Sequence, residues 1–341
     1  MNHNDKRLTK NERREQAREQ ARLAREAEKK REKRNRLFLQ GGVVIGVLAI
    51  LAIVGLVLMQ TLKPAGPGPQ NMASGGVVIE QDLAVVPGPA LESGEDRVAP
   101  EVDRTQTPLD IAIYVDYTCV HCAEFEQAYG SVLENWVGSG DATLKIYPVN
   151  ILDASTGSSR YSTRAANALA CVVDQNPEDG VAFNLHNTLL SEAVYTRVQE
   201  NAGLSDEELV EQAERAGFAV NDEFRQCVKD VRFASFIAQN TKAATETGIL
   251  GLAEGAQLAQ DESNGVIQFQ PEGGPQRLRG TPLVIVNGQE WRSTRDGEFE
   301  MYLAKLKAEL DGNGNGNGTS NGGAGTGNGD AATEPESSEN E

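Results

Sequence analysis

Cysteine and histidine are scarce in this chain of 341 residues. The four cysteines and three histidines are Cys119, Cys122, Cys171, Cys227, His3, His121 and His186. A structural zinc site usually takes four ligands in two closely spaced pairs, and here only Cys119 and Cys122 are closely spaced. Covalent haem attachment needs a histidine directly after the second cysteine, and Ala123 occupies that position. We therefore predict no metal site and no haem.

Positive charge is sparse outside the N-terminal end. The formal net charge is −18, and residues 1–40 carry +7 (14 Lys and Arg against 7 Asp and Glu), which leaves −25 for the remainder. Because residues 41–341 are so acidic, they are a poor candidate for binding nucleic acid. Residues 1–36 are rich in Arg, Lys, Glu and Gln without an apolar stripe, which predicts a solvated helix or a disordered basic arm. Binding of anionic lipid or RNA by this arm is the alternative.

Charge is absent from residues 37–62, which are apolar and long enough to cross roughly 30 Å of hydrocarbon as a helix. A cleaved signal peptide is the alternative, but the basic region and the apolar run are both too long for one. We predict a retained signal anchor with a single membrane span. Because basic residues cluster on its N-terminal side, residues 1–36 should be cytoplasmic and the rest of the chain extracytoplasmic. All four cysteines would then lie where disulfides persist.

Apolar residues are nearly missing from two further segments. Residues 63–76 are rich in proline and glycine, which predicts a flexible linker. Residues 311–341 are rich in glycine and asparagine and then acidic, which predicts a disordered tail. One folded domain, residues 77–310, remains between them.

The paired cysteines lie where a predicted strand meets a predicted helix. Apolar residues alternate from Leu109 to Asp116, as in a strand with one buried face, and recur at helical spacing from Cys119 to about Trp136. The start of a helix carries unpaired N–H groups and a partial positive charge, which favour a thiolate over a thiol. This context favours thiol–disulfide chemistry over a metal site or a purely structural disulfide.

The position of each residue in this turn suggests its role. Cys119 comes first in the helix and should be the more exposed, so we predict that it is the nucleophile that forms a mixed disulfide. Cys122 lies one turn further in and should resolve that disulfide. His121, when protonated or donating a hydrogen bond, should favour the Cys119 thiolate; a solvated helix residue is the alternative.

The remaining pattern predicts a mixed α/β domain. The expected elements are an edge hairpin (77–79 and 83–86), a strand (142–149), helices (158–173, 180–194, 205–216 and 221–247), an irregular glycine-rich stretch (249–279), a strand–Asn-Gly–strand unit (281–291) and a terminal helix (299–310).

This order of elements resembles the DsbA-like thiol:disulfide oxidoreductases, which have an α/β thioredoxin fold with an inserted helical subdomain. The resemblance covers about residues 77–310, with the insertion at about 155–248. It is carried by the sequence Asp116-Tyr117-Thr118-Cys119-Val120-His121-Cys122 and by Gly280-Thr281-Pro282. It implies a cis peptide bond before Pro282, which would pack against the active disulfide while Thr281 and Pro282 bind an extended substrate. An ordinary strand-initiating proline is the alternative.

The resemblance also implies partners and shows departures. Substrates would be the thiols of exported proteins, no cofactor would be needed, and a quinone-linked membrane protein would reoxidise the pair. Val120 stands where the family usually has proline, and Ile113 stands where many members have a buried acid. We therefore expect Asp116, Glu124 or water to accept the Cys122 proton. Residues 249–279 are an extra insertion, which we interpret as a surface loop rather than a wall of a substrate groove.

Cys171 and Cys227 lie on predicted helices of the insertion. The chain has an even number of cysteines, and both of these are predicted to be exported. We therefore favour a structural disulfide between them over two free thiols. Three functions remain open: a membrane-anchored dithiol oxidase, a reductase or isomerase of the same fold, and a redox-inactive module that binds peptides beside Pro282. We favour the oxidase.

Overall fold

The computed structural model describes residues 66–100, 109–155, 159–201, 203–263 and 265–314, together with isolated helical residues between 18 and 31. The chain divides into two compact units, Met1–Pro64 and Ala65–Glu341. Among the described residues, no helix combines the length and apolar character needed to span a membrane. The predicted signal anchor of residues 37–62 and the predicted tail from residue 315 onward lie outside the described residues.

A six-stranded sheet is the centre of the second unit, and a separate two-stranded sheet accompanies it. The strands are β1 (Val77–Glu80), β2 (Ala84–Val85), β3 (Leu109–Val115), β4 (Ala142–Pro148), β5 (Ala259–Ser263), β6 (Val266–Phe269), β7 (Leu283–Val286) and β8 (Gln289–Trp291). The order in the large sheet is β2-β1-β4-β3-β7-β8. Strand β3 pairs in parallel with β4 and antiparallel with β7. The predicted edge hairpin and the strand–Asn-Gly–strand unit are both confirmed.

Most of the helices lie between β4 and β7, as the predicted insertion requires. The helices are α1 (Val120–Gly138), α2 (Tyr161–Val173), α3 (Val181–Leu190), α4 (Glu192–Asn201), α5 (Asp206–Arg215), α6 (Asp222–Lys229), α7 (Ala234–Lys242), α8 (Ser293–Asp296) and α9 (Phe299–Gly314). Helix α1 connects β3 to β4, and its Leu133 and Val137 are buried in the main core. Helix α9 includes residues 311–314, which were predicted to belong to the tail.

Strand β3 is buried on both faces, whereas its alternating sequence predicts one buried face and one face open to solvent. Ile111 and Ile113 lie in the main core that includes α1. Ala112 and Tyr114 lie in a second core, where the Tyr114 ring stacks on Tyr147 with 4.6 Å between centroids. This second core also contains Leu258, Leu278 and Leu283, so the segment after α7 covers the face that was expected to be open.

Two predicted long helices are broken in the structure. The helix predicted over residues 180–194 ends at Leu190, because Ser191 takes an extended conformation and its hydroxyl bonds the Thr188 carbonyl. The helix predicted over residues 221–247 is interrupted at Val231, whose φ of 45° lies in the left-handed region.

The capping box that starts α5 is confirmed, with both reciprocal bonds between Ser205 and Glu208 present.

Residues 66–76 belong to the folded unit and are not the flexible linker that their composition predicts. Met72 is fully buried in the main core. The Asn71 side chain donates to the Val173 carbonyl at 3.1 Å, and the Gly68 N–H donates to the Leu91 carbonyl at 2.7 Å. A buried anchor and specific hydrogen bonds outweigh the local preference of proline and glycine for a flexible chain.

A disulfide joins Cys171 of α2 to Cys227 of α6, which confirms the predicted pair. Both residues are buried in the main core, and 56 positions separate them along the chain. The Asn167 side chain donates to the Cys227 carbonyl and accepts from the Phe233 N–H, so polar contacts accompany the crosslink. Closing such a loop contributes on the order of 4 kcal/mol in the chain-entropy account. The disulfide therefore holds the inserted helices together.

Candidate active site

The CxxC pair lies at the junction that the sequence predicts, with Cys119 at the N-cap of α1. Cys119 has extended backbone angles, its N–H donates to the Asp116 carbonyl at 2.9 Å, and its carbonyl accepts from the Ala123 N–H. Cys122 lies in the first turn of α1, and both cysteines are free thiols. Cys119 is 6% exposed and Cys122 is 1% exposed, so the predicted order of exposure is correct although both are buried.

A distant segment completes this site. The Thr281–Pro282 peptide bond is cis, which confirms the expectation drawn from the family resemblance. The Cys119 thiol donates to the Thr281 carbonyl, with 3.1 Å between Sγ and oxygen. The start of α1 and the chain entering β7 are therefore in direct contact across 162 positions of sequence.

The environment lowers the pKa of Cys119 from its ordinary value of 9.0 to about 6. The largest cause is a hydrogen bond from the Cys122 thiol. Burial opposes it, while hydrogen bonds from the N–H groups of Cys122 and His121 add to it. Because these donors stabilise the thiolate, Cys119 is largely ionised at neutral pH and is suited to be both nucleophile and leaving group.

The pKa of Cys122 is displaced in the opposite direction, well above 9.0. Burial is the largest cause, followed by the hydrogen bond that its thiol donates to Cys119 and by the negative charge of Cys119. A hydrogen bond from the Asp116 N–H opposes these effects without overcoming them. Cys122 therefore stays a thiol at neutral pH. The reduced pair then shares a single proton, which is carried by Cys122 while Cys119 is the thiolate.

The His121 ring does not donate a hydrogen bond to Cys119, as its predicted role allowed, and pairs with Glu124 instead. Its ring Nδ1 lies 2.9 Å from Glu124 Oε2, and both side chains are mostly exposed, at 72% and 64%. The pKa of His121 is raised, first by the hydrogen bond with Glu124 and also by the charge of Cys119. The hydrogen bond that His121 gives Cys119 comes from its main chain, so its ring acts on the thiolate only through charge.

Asp116 is fully buried beside the active turn. Its carboxylate accepts from the Ser162 hydroxyl at 2.5 Å and from the N–H groups of Thr118 and Leu152, each at 2.9 Å. Burial raises its pKa to about 6 despite these donors. Of the two acids considered from sequence as proton acceptors, Asp116 is therefore enclosed near the sulfurs, whereas Glu124 is solvent-exposed.

Sequence reasoning missed a buried polar chain beneath the site. The Tyr117 hydroxyl lies 3.0 Å from His186 Nδ1, and His186 Nε2 lies 2.9 Å from Glu126 Oε1. All three side chains are buried, and burial, followed by the charge of Glu126 and to a smaller extent that of Cys122, raises the pKa of Tyr117. The spacing of Glu126, four residues after Cys122, was the only local signal, because it places both on one face of α1.

The inserted helices also contribute Tyr195 of α4 to the site. Its hydroxyl donates to the Thr118 carbonyl at 3.2 Å and accepts from the Gln199 amide at 2.8 Å. The pKa of Tyr195 is raised by burial and then by the charges of Cys119 and Cys122. The helical insertion thus forms one side of the active turn, while Thr281 and Pro282 form another.

Within the part of the chain that the structure describes, no three His, Cys, Asp or Glu side chains are grouped as metal ligands. The polar groups around Cys119 and Cys122 form hydrogen bonds with the two cysteines. The arrangement can break and form a disulfide with residues of this chain alone.

A family model described as thioredoxin matches residues 104–251. The fold is thioredoxin-like. The match covers the CxxC turn and most of the helical insertion but ends before Thr281. No curated protein sequence matches the chain.

Several solved structures are similar to the chain. They include oxidised DsbA from Mycobacterium tuberculosis, with 20% identity over 68% of this chain and 91% of that one and a TM-score of 0.46. Reduced DsbG from Mycobacterium tuberculosis has 20% identity over 63% and 85%, with a TM-score of 0.44. MdbA from Corynebacterium diphtheriae, a thiol-disulfide oxidoreductase, has 18% identity over 71% and 94%, with a TM-score of 0.41.

The lowered pKa of Cys119 predicts how fast it is alkylated. In the reduced protein, the rate of reaction of Cys119 with iodoacetamide should rise with pH around a midpoint of about 6. Cys122→Ala removes the largest cause of the shift and should move the midpoint upward. Mass spectrometry of the Cys119 peptide measures the rate, and a wild-type midpoint near 9 would contradict the account.

Proposed function

We propose that the protein is a membrane-anchored, extracytoplasmic thiol:disulfide oxidoreductase that introduces disulfides into exported proteins through Cys119 and Cys122. The observation that carries this proposal is the position of Cys119 at the N-cap of α1, with its Sγ 3.1 Å from the Thr281 carbonyl beside the cis Pro282. In keeping with this position, the pKa of Cys119 is lowered to about 6, whereas that of buried Cys122 lies well above 9.0. A stabilised Cys119 thiolate favours the reduced form of the pair, and a pair that favours its reduced form oxidises other dithiols.

The reaction begins with the Cys119–Cys122 disulfide. A substrate thiolate attacks Cys119 Sγ, a new sulfur–sulfur bond forms, and the Cys119–Cys122 bond breaks with its electron pair passing to Cys122. Because the pKa of Cys122 is well above 9.0, this sulfur takes up a proton. The second substrate thiolate then attacks the substrate sulfur of the mixed disulfide, and Cys119 leaves as a thiolate. The substrate loses two electrons, and the protein gains them as its dithiol.

The surroundings of the sulfurs supply the stabilisation that each step needs. The Cys122 thiol and the N–H groups at the start of α1 donate to Cys119 when it carries negative charge. Asp116 is the nearest enclosed acid whose pKa, about 6, allows it to exchange a proton near neutral pH. In this scheme, the main chain around Thr281 and Pro282 binds the substrate as an extended segment.

Export and anchoring belong to the same proposal and rest on the sequence. The uncharged residues 37–62 would anchor the chain, residues 1–36 would remain in the cytoplasm, and the catalytic domain would lie outside. A membrane protein linked to quinone would return the Cys119–Cys122 pair to its disulfide. The buried disulfide between Cys171 and Cys227 supports an oxidising compartment.

Protease accessibility tests this topology. Protease added to intact cells, or to spheroplasts where an outer barrier exists, should digest the domain from residue 66 onward and spare residues 1–36. Epitopes placed at the two ends would report each side by immunoblot, and detergent-permeabilised cells give the control in which both are digested. Protection of the domain in spheroplasts would refute the export.

The direction of the chemistry is tested with purified full-length protein in detergent. The oxidised protein should convert a reduced two-cysteine peptide to its disulfide with one equivalent of peptide per Cys119–Cys122 pair. Equilibration with glutathione should give a reduction potential between about −200 and −120 mV, the range of oxidases and isomerases. A value near about −270 mV would instead favour the reductase function.

A further inference from the structure

Strand β5 forms part of a pocket beside the active site. The pocket has a volume of about 300 Å³ and is continuous with Thr281 and Pro282. Its lining includes Ala259 and Asp261 of β5, together with Arg277 and Arg279 from the chain that returns to β7. The stretch 249–279, which the sequence suggested was a surface loop, thus contributes residues 258–262, 277 and 279 to a pocket that includes Thr281, the residue whose carbonyl Cys119 contacts.

Buried polar contacts hold this stretch against the central sheet. Glu290 of β8 is 6% exposed, and its Oε2 accepts from the Ala259 N–H at 2.6 Å. Arg292 bridges Glu290 Oε1 at 2.8 Å and Glu262 Oε2 at 2.9 Å. The buried Gln270 amide donates to the carbonyls of Ala259 and Arg277. The pocket is therefore formed before any ligand enters, which lowers the entropic cost of binding.

Charge in the pocket is unequally neutralised. Arg292 has two carboxylate partners, but Arg277 donates its Nε to the neutral carbonyl of Glu246. Arg279 is exposed and, among the residues described, has no ion pair or hydrogen bond. Asp261 is the remaining acid in the lining. The lining is therefore neutral as a whole, with three arginines (Arg277, Arg279, Arg292) and three acids (Asp261, Glu262, Glu290). Its available positive charge is the guanidinium of Arg279, which has no partner among the described residues to give up before it binds a carboxylate.

From this we propose that the pocket is a substrate subsite that binds an acidic side chain two or three residues from the reactive cysteine of the substrate; this rests on the proposed function. Arg279 lies two positions before Thr281, a span of at most about 7 Å between their Cα atoms. A substrate segment extended along Thr281 and Pro282, with its cysteine at Cys119, therefore reaches the guanidinium with its next few side chains. Arg279 supplies the charge-assisted hydrogen bonds that select a carboxylate.

Oxidation of designed peptides tests this subsite. Two-cysteine peptides with Glu, Gln or Lys at the third position from the attacking cysteine, on either side, would be oxidised by the full-length protein in detergent. For wild type, kcat/KM should be about fivefold higher for the Glu peptide than for the Lys peptide. Arg279→Glu should reverse this order, and Arg279→Ala should remove it. The preference should also weaken at high salt.

Arg225→Glu is the matched control, because Arg225 is an exposed arginine on α6 outside the pocket lining. It changes net charge equally and should leave the order of peptides unchanged. Equal rates for all three peptides, an order that Arg279→Glu does not alter, or the same reversal with Arg225→Glu would overturn the subsite while leaving the oxidase intact. Oxidation of none of the peptides would overturn both the subsite and the proposed function.

Discussion

Cys122→Ala should accumulate mixed disulfides with exported proteins, because it keeps the nucleophile and removes the thiol that releases the substrate. Cys119 remains at the N-cap of α1, within 3.1 Å of the Thr281 carbonyl. Its thiolate can attack a disulfide of an exported protein, forming the mixed disulfide while the other substrate sulfur leaves as a thiolate. Non-reducing electrophoresis should show high-mass bands that collapse on reduction. Cys119→Ala should give few or none, because Cys122 is almost fully buried and its pKa is well above 9.0.

The two variants also separate the three functions considered from sequence. A redox-inactive binding module would keep its partner in Cys119→Ala, whereas an oxidase or a reductase would lose its activity completely. Loss of Cys122 also removes the main donor to the Cys119 thiolate, so the rate of trapping should rise with pH around a midpoint above 6. More trapping with Cys119→Ala than with Cys122→Ala would show that the roles are reversed.

Local sequence signals were sufficient wherever a structure depends on neighbouring residues. The strand–CxxC–helix junction, the edge hairpin and the capping box at Ser205 follow from alternation, helical spacing and side-chain bonds to nearby N–H groups. The Asn287-Gly288 turn follows in the same way, since both residues have positive φ. Each of these features is decided within a few residues.

The features that were missed depend on tertiary packing. Val231 interrupts a predicted helix although nothing nearby in sequence requires it, while Asn167 accepts from the Phe233 N–H just beyond. Strand β5 has the sequence AQDES, which reads as a loop, and it pairs because β6 and Glu290 lie alongside. His186 meets Glu126 across 60 positions, so no window of sequence could indicate the buried chain beneath the site.

Raising the pH from 6 to 8 should stabilise the reduced protein relative to the oxidised protein. The folded pKa of Cys119 is lowered from 9.0 to about 6, so its contribution is complete only above pH 9 and is lost as pH falls through 6. The contribution is about 0.4 kcal/mol at pH 6 and about 2.7 kcal/mol at pH 8, since each pKa unit is worth about 1.4 kcal/mol. The oxidised protein has no Cys119 thiol to ionise, so this pH-dependent contribution to stability is present only in the reduced protein.

Thermal melts of the two redox forms measure this difference, with the Cys171–Cys227 disulfide kept oxidised in both. The melting temperature of the reduced form should rise by several degrees relative to the oxidised form between pH 6 and pH 8. Asp116 also titrates near pH 6, but it is present in both forms and largely cancels in the comparison. The double variant Cys119→Ala, Cys122→Ala should show no redox-dependent change.

The same melts bear on the direction of catalysis, because stability gained by the reduced form is oxidising power gained by the disulfide. The predicted change of about 2.3 kcal/mol corresponds to about 50 mV for a two-electron couple. The raised pKa of Cys122 opposes the effect only as pH approaches and passes 9, outside this window. The reduced protein should therefore be the more stable form at pH 8. If the oxidised protein is clearly more stable there, the pair acts as a reductase and the proposed oxidase function is wrong.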